Sequence, residues 1–310
     1  MKLKLSPTCC ILAGILSTGY LKTCKKQPIK ITDQIVNTVS ATKKPIMNIL
    51  VADDFKNSTI DIDGDFLSDV SHGFVTSSLI EQGLPNANVI KKNIFPKSTL
   101  NSFLTASKLD SLFTSVLENT KKGKIFDAIN LSVGFSVKYE SLSREVGFEL
   151  NHENIADFAQ DVKQALIERN GNFMIKSKPM KEIVSIIEKM DKISAKGTKI
   201  YIAAGNSGDS SFNLLTLADN IINVGAVNNK GNFVTYSDKN TLVNRIENGD
   251  ICPKAVKGGF DITDDGIADV KKEETTAIFH FTTPFAKFEG TSFASPRALV
   301  KDLLKKNKQN

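Results

Sequence analysis

Ser292 stands where the short stretch Phe288-Glu289 gives way, through Gly290-Thr291, to a segment with helical character. A hydroxyl at a helix N-terminus meets the positive end of the helix dipole and unpaired backbone N–H groups, which favour the negative charge that develops in acyl transfer. Pro296 suits this placement, because the N–H it lacks would have bonded back toward the Ser292 carbonyl, within the turn where proline does least damage. Taken by itself Ser292 reads as an N-cap, the usual role of serine ahead of a helix. A nucleophilic serine also needs a base, and the chain holds three histidines, His72, His152 and His280. His152 lies just before a helical segment, as a solvated capping residue would. His280 sits in the alternating Phe279-His280-Phe281, the pattern of a structural histidine in a strand. His72 opens a helix after a loop, and Gly73 beside it leaves room for a substrate to approach. It is the favoured base.

The elements that must hold these groups alternate between strands and helices. Ile46, Ile49, Leu50 and Val51 form an apolar run that stops at Asp53-Asp54, as a buried parallel strand stops at a loop. Either aspartate could orient the imidazole, since strand ends are not legible to the residue. A helix is expected over His72 to Gln82, closed by Gly83 and Pro85, then a strand over Asn88 to Ile94. Leu109, Leu112, Phe113, Val116 and Leu117 share one helical face, and Ala128 to Ser132 reads as the next strand. Two amphipathic helices follow, one carrying Ile155, Phe158, Val162 and Leu166, the other Ile183, Ile187, Met190 and Ile193. Strands are expected at Lys199 to Ala204 and Asn220 to Val227. This succession predicts an α/β fold, a mostly parallel sheet with helices on both faces. Residues 228–290 lack helical periodicity and read as hairpins and loops, with turns at Gly258-Gly259 and Asp265-Gly266 and alternation through Ile278 to Phe281.

Several segments resemble the subtilisin-like serine proteases. Gly290-Thr291-Ser292-Phe293-Ala294-Ser295-Pro296 is similar to that family's nucleophile motif G-T-S-M-A-S-P, with Phe in place of Met. Ala203-Ala204-Gly205-Asn206 resembles the A-A-G-N strand end, and Ile129 to Gly134 resembles the strand that borders the substrate. Asn220 to Val227 resembles the V-I-x-V-G-A-V strand, Ser71-His72-Gly73 the start of the histidine helix, and Val51 to Asp54 the strand that ends in an aspartate. The order Asp, His, Ser is that of subtilisin. The resemblance covers roughly residues 46–309. It implies Ser292 as nucleophile, His72 as base, Asp53 as orienting carboxylate with Asp54 as the alternative, and Asn206 as an oxyanion donor. It further implies substrate contacts at Ser132, Val133, Gly134, Ala203, Ala204 and Gly205, and a polypeptide as substrate. The alternative is an inactive fold of the same kind serving as a binding module.

The chain departs from the family where Phe74-Val75 replace Thr-His and where Arg297-Ala298 replace His-Val. Residues 135–180 read as an insertion that adds a helical element near the cleft. The segment before Pro45 is short for an intramolecular chaperone, and the C-terminus is expected to be truncated relative to the family. The rival G-x-S-x-G elbow is broken at Ala294, and no histidine follows Ser292 to complete a Ser-Asp-His order.

Composition narrows the remaining functions. With 41% hydrophobic and 24% charged residues in 310, the chain can bury a large core. Its 40 Lys and Arg against 34 Asp and Glu give a net +6 spread along the sequence, with no basic block interleaved with aromatics, so nucleic acid is not an expected partner. Residues 1–19, basic and then briefly apolar, read as an export signal and 20–44 as a linker, which implies a secreted or periplasmic protein; the plainer alternative is a frayed cytosolic tail. No stable membrane anchor beyond that signal is expected. If the signal is cleaved, Cys24 and Cys252 are left to pair. No cofactor or metal is expected. Asp261, Thr263, Asp265, Gly266 and Asp269 match calcium-loop spacing, but Lys272 occupies the position that needs a bidentate acid, which favours a hairpin turn over calcium. Asp61, Asp63 and Asp65 read as a solvated acidic loop.

Overall fold

The computed structural model describes residues 46–60, 70–96, 101–169, 179–271 and 287–309. The expected signal segment, the linker, Cys24, the Asp61–Asp65 cluster and the Ile278–Phe281 alternation with His280 lie outside these residues. Along the chain the strands are β1 (Asn48–Asp53), β2 (Ser58–Ile60), β3 (Val70–Ser71), β4 (Asn88–Asn93), β5 (Ala128–Leu131), β6 (Ser136–Lys138), β7 (Lys199–Ala203) and β8 (Ser211–Asn213). They continue with β9 (Ile222–Val227), β10 (Arg245–Asn248), β11 (Asp250–Ile251), β12 (Lys254–Val256), β13 (Gly259–Asp261), β14 (Val270–Lys271) and β15 (Phe288–Glu289). The helices are α1 (His72–Gly83), α2 (Ser102–Lys121), α3 (Tyr139–Val146), α4 (Ala159–Glu168), α5 (Met180–Ser194) and α6 (Thr291–Gln309).

Six strands form one parallel sheet in the order β10-β9-β7-β5-β1-β4. The two-residue period of a strand sends alternate side chains to opposite faces. Leu50 and Ala52 join Phe113, Ile129, Ile183 and Ile187 on the face covered by α2 and α5. Ile49 and Val51 join Ile80, Tyr201, Leu299 and Leu303 on the face covered by α1 and α6. Burial on both faces is why these strands are continuous apolar runs. From β1 the chain steps outward to β4 and then returns to β5 on the other side of β1. This reversal opens a crevice at the carboxyl ends of β1 and β5, the usual place for a site in such sheets.

The expected α/β architecture therefore stands, with two differences. Residues 228–290 supply a sixth strand of the main sheet, β10, parallel to β9, besides hairpins. Its sequence, Arg-Ile-Glu-Asn, has one apolar residue, and Ile246 is itself exposed, so an edge strand held by backbone pairing carries no hydrophobic signal. The helix expected to carry Ile155 and Phe158 begins only at Ala159. Asn151 Oδ1 accepts the N–H groups of Glu153 and Asn154, and Asn154 Oδ1 accepts that of Asn151, local bonds that compete with helix. In the segment read as an insertion, β6 precedes the helices and pairs antiparallel with β8. No helix among the described residues is long and apolar enough to cross a membrane.

Candidate active site

β1 delivers Asp53 to the crevice, fully buried at the last position of the strand. α1 begins at His72, with Ser71 as N-cap accepting the Phe74 N–H at 3.2 Å. This strand end and this helix start bring His72 Nδ1 to 2.8 Å from Asp53 Oδ1. The opposite edge of the ring meets the nucleophile candidate, with His72 Nε2 2.8 Å from Ser292 Oγ. Ser292 is the second residue of α6, so its hydroxyl lies at the dipole end where the sequence places it.

The two adjacent aspartates do different things. Asp53 Oδ1 also accepts the Asp54 N–H at 2.7 Å, and Oδ2 accepts the Thr76 hydroxyl at 2.8 Å. Asp54 instead accepts the backbone N–H groups of Lys56 and Asn57 and the Asn57 side-chain amide. Its carboxylate closes a loop, although its charge still reaches the imidazole. Burial on its own would lower the His72 pKa. The charge and hydrogen bond of Asp53, helped by the charge of Asp54, outweigh that and hold the imidazole above its ordinary value.

A chain of polar groups fixes the serine. The Ser292 carbonyl, left without its helical partner by Pro296, accepts the Ser132 hydroxyl at 3.0 Å. Asn130 donates to Ser132 Oγ and accepts from Ser295 Oγ, both bonds lying beneath α6. Arg297, one of the departures noted in the sequence, donates to the carbonyls of Asn248 and Asp250 and so ties α6 to the β10–β11 connection. Asn206 follows β7. Its Oδ1 accepts both the backbone N–H and the hydroxyl of Thr291, at 3.0 and 2.9 Å, and Thr291 Oγ1 in turn accepts the Gly205 N–H. With Oδ1 engaged, Nδ2 is the group left to donate toward the serine. A β-carbon built on Gly290 would lie 2.9 Å from Ser292 Oγ and 3.6 Å from Asn206 Nδ2, so the two atoms flank the same point.

A cavity of about 310 Å³ opens beside Ser292. Ser132, Val133 and Gly134 line one side, and Ala203, Gly205 and Asn206 the other. Ser136, the first residue of β6, joins them. Ala204, expected among the substrate contacts, does not line the cavity; it is buried and its N–H bonds to the Val224 carbonyl. His152 is partly exposed beside Glu153 and takes no part.

Sequence reading missed the group that sets the width of this cavity. Asn213, fully buried at the end of β8, donates from Nδ2 to the carbonyls of Val133 and Ala203 and accepts at Oδ1 from the N–H groups of Phe135 and Leu215. It thereby clamps the two walls together. Asn213→Ala would strand several buried backbone groups, and we expect urea unfolding to show a loss of about 3 kcal/mol or more. Thr76, four residues after His72 on the same helix face, and Thr291 were also missed; their hydroxyls gain meaning only through partners distant in sequence.

The acidic loop between β13 and β14 is closed by its own backbone. Asp261 accepts the N–H groups of Thr263, Asp264 and Gly266, and Asp269 those of Ile262 and Thr263. β13 and β14 pair antiparallel, but they are joined by the loop 262–269 rather than by a tight turn at Asp265-Gly266; Gly266 takes a φ of 84° within that loop. Among the described residues no cluster of three or more His, Cys, Asp or Glu is placed to hold a metal.

Among solved structures, the prenylagaramide maturation protease PagA matches with 14% identity and a TM-score of 0.48, covering 85% of this chain and 78% of its own. A cold-adapted subtilisin-like serine proteinase matches with 13% identity and a TM-score of 0.44, covering 85% and 76%. The epidermin leader peptide processing serine protease of Staphylococcus aureus matches with 12% identity and a TM-score of 0.47, covering 85% and 68%. No curated protein sequence matches. The model of the subtilase family matches residues 62–299, well over half of the chain and inclusive of both His72 and Ser292. The chain belongs to the subtilase family.

Proposed function

We propose that the protein is a serine endopeptidase that cleaves polypeptides through an acyl-enzyme intermediate. The observation that carries this reading is the continuous chain of 2.8 Å contacts from Asp53 through His72 to Ser292, the first joining residues 19 apart in sequence and the second residues 220 apart. In this reading His72 Nε2 takes the proton of Ser292 Oγ as the oxygen attacks the scissile carbonyl, while Asp53 holds the Nδ1–H tautomer and stabilises the imidazolium. Asn206 Nδ2 and the Ser292 backbone N–H receive the oxyanion. His72 then gives its proton to the leaving amine, and water repeats the sequence on the acyl-enzyme. The cavity between the Ser132–Gly134 and Ala203–Asn206 segments takes the substrate side chain.

Labelling with a fluorophosphonate probe tests the assignment. Wild type should label and Ser292→Ala should not. A folded wild type that stays unlabelled would shift the reading to an inactive binding module, and labelling that survives Ser292→Ala would mean that a different serine reacts. The pH dependence gives a further expectation. An imidazolium cannot accept the serine proton, and the carboxylates hold the His72 pKa above its ordinary value. kcat/KM should therefore rise with pH through a midpoint above the ordinary histidine value of about 6.5. An acid limb centred below that value would contradict the Asp53–His72 coupling.

A further inference from the structure

Behind the Asn206 turn lies an acid that the triad chemistry does not use. Asp238 is completely buried. Its backbone N–H donates to the Gly205 carbonyl at 3.1 Å, and its Oδ1 accepts the Ser207 N–H at 2.7 Å. The residues on either side of Asn206 are thus both held by this one residue. Oδ2 packs directly against the Gly205 α-carbon, where any β-carbon would collide with it and where φ is 126°, so only glycine fits. The brace is itself anchored, because Ser237 Oγ accepts the Ala226 N–H from β9.

We propose that Asp238 is a positioning residue for the Asn206 donor, holding the Gly205–Ser207 turn in place and, when it ionises, setting a negative charge behind that turn which slows acyl transfer. The inference rests on the endopeptidase reading and adds a second ionisation to it. Oδ2 has no hydrogen-bond partner among the described residues, and neither do the buried Tyr139 hydroxyl and Asn240 Nδ2. A bare carboxylate oxygen in such a place is expensive, and a proton on it removes the charge while leaving Oδ1 free for Ser207. Burial pushes the Asp238 carboxyl up to about 7, with the Asp209 charge acting in the same direction and the Ser207 and Gly208 N–H groups opposing it. From α3 the Tyr139 hydroxyl feels the same carboxylate, and Asn240 lies beside that hydroxyl. His72 stands across the cavity.

The experiment compares wild type with Asp238→Asn, which keeps an acceptor for the Ser207 N–H and cannot ionise. Asp238→Ser serves as a second neutral variant should the amide fold poorly. The ratio of wild-type kcat to variant kcat cancels the His72 ionisation, which both proteins share. A charge several ångströms from the oxyanion, in surroundings of intermediate dielectric, should lower that ratio by about three- to tenfold between pH 6 and pH 8.5, with KM little changed. A ratio independent of pH would overturn the proposal. Urea unfolding across pH gives an arm independent of activity. A carboxyl that holds its proton more tightly folded than unfolded contributes stability at low pH and loses it as pH rises toward its folded pKa. The stability of wild type relative to Asp238→Asn should therefore fall between about pH 4 and pH 7 and then level off. A flat difference would exclude the buried ionisation. If the stability difference titrates while fluorophosphonate labelling fails, the endopeptidase reading falls and the claim that this buried acid tunes catalysis falls with it. If labelling succeeds while the ratio stays flat, only the Asp238 inference falls.

Discussion

Asp53→Asn should lower kcat on the order of 10⁴-fold, the scale expected when a buried triad carboxylate becomes an amide. In this protein Oδ1 accepts two N–H donors, from His72 and Asp54, and Oδ2 accepts the Thr76 hydroxyl. An amide can satisfy all three only if its NH₂ faces Thr76 and that hydroxyl turns its hydrogen fully toward the Gly73 carbonyl, which it already reaches at 3.2 Å. The opposite orientation sets an N–H donor against His72 Nδ1 and enforces the wrong tautomer. Either orientation removes the charge that stabilises the imidazolium. Asp54→Asn should be mild, because its oxygens serve the loop through Lys56 and Asn57 rather than the ring. Steady-state kinetics on a peptide substrate distinguish the two, and a severe loss in Asp54→Asn with a mild one in Asp53→Asn would reverse the assignment. A companion pH profile should show the acid limb moving downward in Asp53→Asn, since the charge that raises the His72 pKa is gone.

The contrast between these neighbours shows how far the sequence reaches. That an aspartate ends β1, that His72 opens α1 and that Ser292 opens α6 follow from local patterns: an apolar run stopped by acids, a histidine next to glycine, and serine four residues before a proline. Which of two adjacent acids meets the ring does not follow. It depends on where the strand ends, and a shift of one residue sends the side chain to the other face. Thr76, Asn213 and Asp238 were illegible for a related reason. Their partners lie 23, up to 80 and 31 residues away, and nothing in the spacing of one buried threonine, asparagine or aspartate announces such a partner. β10 was hidden differently, since an edge strand draws its stability from backbone bonds to β9 and leaves no apolar pattern to read.

If the endopeptidase reading holds, Asn206→Leu should lower kcat by about 10² to 10³ with little change in KM, the scale seen when one oxyanion donor is removed from subtilisin. The tetrahedral intermediate carries charge on the former carbonyl oxygen, so a preorganised amide donor stabilises it more than the ground state and its loss falls on the chemical step. Asn206 also has a structural duty, because Oδ1 receives both donors of Thr291. A lower melting temperature is therefore expected alongside the kinetic loss and does not by itself separate the roles. Thr291→Val does. It removes the hydroxyl bond to Oδ1 and disturbs the same loop but leaves Nδ2 in place, so the melting temperature should fall while kcat drops less than in Asn206→Leu. If the two variants lose stability alike and turnover alike, Asn206 acts only as a loop brace, and the oxyanion would have to rely on the Ser292 N–H. If kcat is unchanged in Asn206→Leu, the amide has no part in the chemistry. The distinctive result is a kinetic loss in Asn206→Leu that exceeds that of Thr291→Val at a comparable melting temperature, because only the donor at Nδ2 differs in kind between them.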